Sequence, residues 1–156
     1  MAEEASVSTT VSAPADRVFS LVADLTRMGQ WSPECERVEW LGGASGTAVG
    51  ARFKGHNRRD ARRWATHGKV VVFEPGRELA FDITSVGNLP VSRWIYRVEP
   101  EGEDRCTLIE TWQDRRGGLM KVLGRLVTGV KDREAHNTAG MEQTLQRIRA
   151  AAEASA

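Results

Sequence analysis

Apolar residues change their spacing along this chain of 156 residues, and each change marks a different kind of element. Val7 to Val11 alternates with Ser and Thr, the period-two signature of a short strand. Ala13-Pro14-Ala15-Asp16 then opens a helix. Proline is tolerated in a first turn, an early carboxylate complements the helix dipole, and Val18, Leu21, Val22 and Leu25 supply an apolar face. Asp24 to Trp31 reads as a second short helix, stopped by Ser32-Pro33. From Glu34 the period returns to two. The candidate strands are Glu36 to Leu41, Ala51 to Arg58, Trp64 to Phe73, Glu78 to Val86, Ser92 to Glu99 and Cys106 to Gln113. Turn-rich segments such as Gly42-Gly43-Ala44-Ser45-Gly46, Glu74-Pro75-Gly76, Gly87-Asn88-Leu89-Pro90 and Pro100-Glu101-Gly102 separate them.

The last third switches to helical period. Projected from Leu119 to Ala152, one face carries Met120, Leu123, Val127 and Val130, then Met141, Leu145, Ile148 and Ala152. Between these two apolar runs the same face carries Glu134, Asn137 and Thr138. A helix that only sealed a core would not bury such groups, because an unpaired buried polar group costs a few kcal/mol. Either this face looks onto a cavity, or Lys131 to His136 is a loop or kink near Gly129 whose polar residues are solvated. The element order predicts an α+β fold of a single domain over 1–156: a curved antiparallel sheet wrapping a long terminal helix, with two short helices after the first strand.

Composition narrows the function classes. Basic and acidic residues nearly cancel, 22 against 21, so no global field draws the chain to nucleic acid or to an anionic membrane. No apolar run reaches the length of a membrane span, and MAEEASVSTT lacks the basic and apolar regions of a secretion signal, which predicts a cytoplasmic address. Cys35 and Cys106 stand apart from any CxxC or His spacing and are expected as free thiols, although a single bridge between them stays open. His56, His67 and His136 lack metal-ligand spacing, and the glycines of Gly42 to Gly50 lie between strands instead of entering a helix. Neither a metal nor an organic cofactor is expected.

The alternation places Phe53, Gly55 and Asn57 on one inward strand face, with Phe81 and Ile83, Trp94, Tyr96 and Val98, and Leu108 and Trp112 on others. Five Trp residues add an aromatic load that suits a flat or polycyclic ligand, although any one of Trp31, Trp40, Trp64, Trp94 and Trp112 serves equally well as core filler. Glu110 lies between Leu108 and Trp112. A carboxylate there either forms a salt bridge to Arg93, Arg97 or the helix, or keeps a raised pKa as a proton donor or acceptor, with Tyr96 as a possible phenol partner. No Ser, Cys or Thr stands beside a His, so acyl-enzyme chemistry has no support. Arg58, Arg59, Arg62 and Arg63 crowd one turn around Asp60, either as a solvated hairpin tip or as a contact for an anionic ligand or an acyl carrier protein.

The run Ala13-Pro14-Ala15-Asp16-Arg17-Val18-Phe19-Ser20-Leu21-Val22-Ala23-Asp24, followed by Met28-Gly29-Gln30-Trp31-Ser32-Pro33, resembles the start of the START-like helix-grip (SRPBCC) superfamily, in its polyketide cyclase/dehydrase and lipid-transport branch. Gly50 to Arg58, Trp64 to Val72, Glu74-Pro75-Gly76, Trp94-Ile95-Tyr96 and Thr107-Leu108-Ile109-Glu110 follow in that family's order. The resemblance implies a seven-stranded sheet gripping the C-terminal helix around a hydrophobic cavity. It implies a carrier or sensor of a lipid, polyketide or other aromatic ligand. The alternative is a cofactor-independent cyclase or dehydratase with Glu110, Tyr96 and Glu134 as candidate acid–base groups. A co-chaperone-like interaction module is a third reading. The candidate ligand-binding set is Trp31, Phe53, Asn57, Trp64, Phe81, Trp94, Tyr96, Leu108, Glu110 and Trp112, with Val130, Glu134, Asn137, Thr138 and Met141 from the last third.

Overall fold

A computed structural model describes residues 3–154. Strand β1 (Glu4–Val11) leads into helix α1 (Ala15–Ala23), a single 3₁₀ turn at Leu25–Arg27 and the short α2 (Met28–Trp31). Six strands follow, β2 (Cys35–Leu41), β3 (Arg52–Arg59), β4 (Arg62–Glu74), β5 (Glu78–Thr84), β6 (Pro90–Pro100) and β7 (Cys106–Asp114), and then helices α3 (Gly118–Thr128) and α4 (Arg133–Ala154). The strands form one antiparallel sheet in the order β1-β7-β6-β5-β4-β3-β2. Each strand from β2 to β7 is joined to its neighbour by a local connection, and β1 closes the far edge by pairing with β7, with Val7 opposite Glu110. Register shifts at Cys35/Arg37, Val70/Val72 and Ile83/Thr84 add bulges that bend the strands around α4. This is the α+β helix-grip layout expected from the sequence, and the predicted strands agree with the observed ones to within a few residues.

The period-two reading holds on the concave face. Every second residue of β7, from Cys106 to Asp114, is buried. At one end of the sheet this row meets Leu145, Ile148 and Ala152 of α4 and Val18, Phe19 and Val22 of α1 in a closed core. Two hydrogen bonds fasten that end: Ser12 N–H donates to Glu153 Oε2 (2.8 Å), and Arg17 Nη1 donates to the Ala152 carbonyl (3.4 Å). On β4, Gly68 is needed for close approach, because a Cβ there would lie inside the Phe53 ring.

The long terminal helix is not continuous. Gly129 adopts φ 73° and caps α3, its N–H donating to the Arg125 carbonyl (2.9 Å), a left-handed conformation that glycine takes without steric cost. Asp132 then caps α4 by accepting from Ala135 N–H through Oδ1 (3.0 Å). The apolar spacing masks this break because Val130, although outside both helices, is still buried.

Candidate functional site

The other end of the grip is hollow. A cavity of about 720 Å³ lies between the concave sheet, α2, α3 and the first half of α4, well within the size range of small-molecule sites. Residues that line it while remaining exposed mark its opening: Pro33, Ala65, His67, Leu89, Leu123 and Val127. A smaller groove of about 350 Å³ adjoins it, shares Pro33, Glu34 and His136, and continues to Arg58 and Arg59.

Aromatic rings build the wall. Phe53 meets Phe81 edge to face at 5.5 Å, and Phe81 stacks beside Tyr96 at 6.3 Å. Trp94 and Trp112 are opposed across β6 and β7, and Trp94 Nε1–H is satisfied by Ser92 Oγ (3.0 Å). Trp64 and Asn57 are cross-strand partners farther along the wall, and Asn57 Nδ2–H donates to Thr66 Oγ1 (3.2 Å).

Glu110 belongs to this wall and is 2% exposed. The salt bridge considered from sequence does not form, because Arg93 pairs with Asp82 and Arg97 with Glu78 on the convex face. Instead Tyr96 Oη–H donates to Glu110 Oε1 at 2.6 Å. Glu110 Oε2 is buried without a partner among the described residues. Burial disfavours the charged form strongly enough to outweigh the Tyr96 hydrogen bond, and the carboxyl pKa is pushed up to about 8. Burial, and then the adjacent carboxyl, likewise hold the Tyr96 phenol well above its ordinary range. At neutral pH the site is therefore a neutral acid beside a neutral phenol. With Oε1 already accepting from Tyr96, the proton of Glu110 belongs on Oε2.

A second polar group closes the wall where α4 begins. Glu34 Oε2 lies 2.7 Å from His136 Nε2, Arg133 Nη1 reaches Glu34 Oε1 at 3.2 Å, and Arg133 Nη2 donates to Thr128 Oγ1 at 2.8 Å. Burial would raise the Glu34 carboxyl, but the His136 hydrogen bond and the Arg133 charge together hold it below the usual range. Arg116 is engaged bidentately by the buried Asp114. Cys35 also touches the cavity, and burial pushes its thiol up to about 11, so it is not a thiolate nucleophile at neutral pH. Both cysteines are free thiols. His56 pairs with Glu39, at 2.9 Å, and no three His, Cys, Asp or Glu side chains among the described residues converge as metal ligands.

Phe53, Asn57, Trp64, Phe81, Trp94, Tyr96, Glu110, Trp112, Asn137 and Met141 thus line one cavity. Five other candidates do not. Leu108 lies in the closed core, and Val130 is buried in the break between the helices. Trp31 is buried beneath the Arg27 guanidinium, 5.0 Å above its ring. Glu134 is exposed in the first turn of α4, where its charge complements the helix dipole. Thr138 turns its hydroxyl back to the Glu134 carbonyl (2.8 Å). The common phase of Val130, Glu134 and Thr138 on the helical projection assumes one unbroken helix with one covered face. Glu34, Cys35, Arg116, Arg133 and His136 join the wall without a signal in the sequence pattern. The Glu34 cluster links segments about a hundred residues apart, and only the i, i+4 spacing of Arg133 and Asn137 hints at it locally.

The model of a family described as polyketide cyclase / dehydrase and lipid transport matches residues 2–153. Among solved structures, a polyketide-cyclase-like protein from Corynebacterium glutamicum is 31% identical, with a TM-score of 0.64 over 96% of this chain and 90% of that one. An aromatase/cyclase from Streptomyces sp. R1128 is 21% identical, with a TM-score of 0.66 over 98% and 94%. Major latex-like protein 151 from Panax ginseng is 12% identical, with a TM-score of 0.72 over 97% of each chain. The last two likenesses concern the fold alone. None of the curated proteins matches the sequence.

Proposed function

The chain belongs to the polyketide cyclase/dehydrase and lipid transport family, and on that premise we propose that it binds an uncharged hydrophobic molecule in the cavity, its one polar end accepting a hydrogen bond from Glu110. The observation that carries this reading is the buried Glu110 carboxyl, which belongs to the aromatic wall and has one oxygen without a partner among the described residues. Leaving such a group unpaired costs about 1–3 kcal/mol, and a ketone, quinone or alcohol oxygen would recover it. A carboxylate ligand would instead face an acid that becomes an anion above pH 8 or so. The aromatic wall supplies the apolar and stacking surface, and Asn137 and the Glu34 cluster form its second polar pole, at the start of α4. This arrangement supports the reading of a carrier or sensor.

One observation favours a second reading, cyclase or dehydratase chemistry. A carboxyl titrating at about 8 is near the optimum for a general acid or base at neutral pH, worth on the order of 10²–10⁴-fold in rate. Yet chemistry of that kind needs a second group within reach, and Tyr96 is already committed to Glu110, Glu34 to Arg133 and His136, and Arg116 to Asp114. Binding is therefore the primary reading.

Titrating a long-chain alcohol, the matching fatty acid and a polycyclic quinone, followed by the fluorescence of Trp64, Trp94 and Trp112, tests the proposal. Saturable binding of the uncharged probes is expected, with the alcohol preferred over the acid at pH 9. Glu110→Leu should weaken the alcohol by roughly 1–3 kcal/mol. Absence of saturable binding, or equal affinity in Glu110→Leu, would overturn it.

A further inference from the structure

Helix α3 carries more apolar surface than the cavity uses. Met120, Leu123 and Val127 line the cavity. On the adjoining strip, at i, i+3 and i+7, Leu119 is 71% exposed, Val122 54% and Leu126 72%. Leu89, another lining residue of the opening, is also exposed. Contiguous exposed aliphatic surface of this kind marks an interaction site.

Helix α3 itself carries basic charge alone, with Asp60, Asp114 and Asp132 on the segments that flank it. From Arg115 to Lys131 the chain holds five basic residues and no acidic one. The turn between β3 and β4 extends the same surface: Arg59 Nη1 donates to the Thr128 carbonyl at the end of α3 (3.3 Å), and the Arg62 guanidinium lies against Gly129. Asp114 engages Arg116 and Lys121, whereas Arg62, Arg63, Arg125 and Lys131 meet no carboxylate among the described residues.

We propose that α3 docks the protein on a bilayer containing anionic lipid, with Leu119, Val122 and Leu126 entering the acyl boundary and Arg62, Arg63, Arg125 and Lys131 meeting lipid phosphates. An aliphatic strip flanked by cations has the composition of an interfacial helix. A second copy related by a two-fold axis would bring the cations against their own kind, and an acidic protein that covers the leucines with its own apolar face is separated from a bilayer by the test below. Because α3 borders the cavity opening, docking would turn that opening to the membrane and let an apolar molecule pass without crossing water.

Flotation of the full chain with vesicles of phosphatidylcholine alone, and of phosphatidylcholine with phosphatidylglycerol, decides the matter without any cavity ligand, so its outcome is independent of the binding assay above. The protein should float with the mixed vesicles only, and less well as salt rises. Leu119→Ser and Leu126→Ser should each weaken binding at least roughly tenfold, and Arg125→Gln and Lys131→Gln about fivefold each. The melting temperature should not change, since these side chains are exposed. No flotation with mixed vesicles, or binding indifferent to both leucine substitutions, overturns the proposal. So does self-association, or capture by an acyl carrier protein, that the leucine substitutions abolish while vesicles bind no protein.

Discussion

The two halves of α4 face the same sheet with different results. Its C-terminal half packs Leu145, Ile148 and Ala152 into the core with α1 and the sheet. Its N-terminal half presents His136, Asn137, Gly140 and Thr144, with Met141 as its large apolar contribution, and leaves a cavity of about 720 Å³. The inward row of β7 changes in step, from Cys106 and Leu108 against the closed core to Glu110, Trp112 and Asp114 at the hollow end. One end of the grip supplies stability, which permits the other to keep an acid out of water with one oxygen unpaired.

The sharpest way to break this contrast is to cut into the closed end. Leu145→Ala removes a side chain that is 1% exposed in a packed core and should cost about 2–5 kcal/mol in chemical denaturation. A loss below about 1 kcal/mol would mean that this end is not the stabilising one.

The next effect belongs to the hollow end and depends on pH. Folded Glu110 keeps its proton up to about pH 8, whereas the unfolded chain releases it near 4.5. The contribution of Glu110 to stability is therefore fully present below about 4.5, falls as pH rises through this window, and is lost above about 8, an amount on the order of a few kcal/mol. Glu110→Gln keeps the shape of the neutral acid and still accepts from Tyr96. It should match the parent at about pH 5 and exceed it at about pH 9, as read from denaturant midpoints at both values. Parallel pH profiles for the two proteins would contradict a neutral Glu110.

Gly68→Ala should cost about 1–3 kcal/mol, because Phe53 must leave its place on the wall. The smallest effect is expected at Asn137, whose side-chain bond is a long one from Arg133 Nη1, 3.4 Å. Asn137→Leu should change stability by less than about 1 kcal/mol, while affinity for a ligand that reaches this polar pole falls by about 1–3 kcal/mol. Loss of stability comparable to that in Leu145→Ala would place Asn137 in a structural role.

The sheet was legible because most strands have one covered face, so that Phe53 on β3, Tyr96 on β6 and Trp112 on β7 sit in period-two rows, although Leu79, Ala80 and Phe81 on β5 are all buried. The wall candidates follow directly from that alternation, Glu110 included, but its partner does not. Arg93 precedes Trp94 and Arg97 follows Tyr96 in sequence, yet both point to the opposite face, where Asp82 and Glu78 hold them. The helical third was harder. Gly129 breaks the helix where Val127 and Val130 keep an apolar spacing across the gap, and the covered face moves from Leu145 and Ile148 to Arg133, His136 and Gly140 along α4. Glu134 and Thr138 fall outside that moving face. The pairing of Glu34 with Arg133 and His136 is set by tertiary packing between segments about a hundred residues apart.

The most direct test is to read the protonation of Glu110 itself. Carbon-13 NMR of protein labelled at the glutamate carboxyl carbons, with Glu110→Gln to assign the resonance, should show the Glu110 carboxyl titrating with a midpoint near 8. A midpoint for Glu110 near 4.5 would make it an ordinary carboxylate at neutral pH, and would contradict a cavity whose polar anchor is a neutral acid.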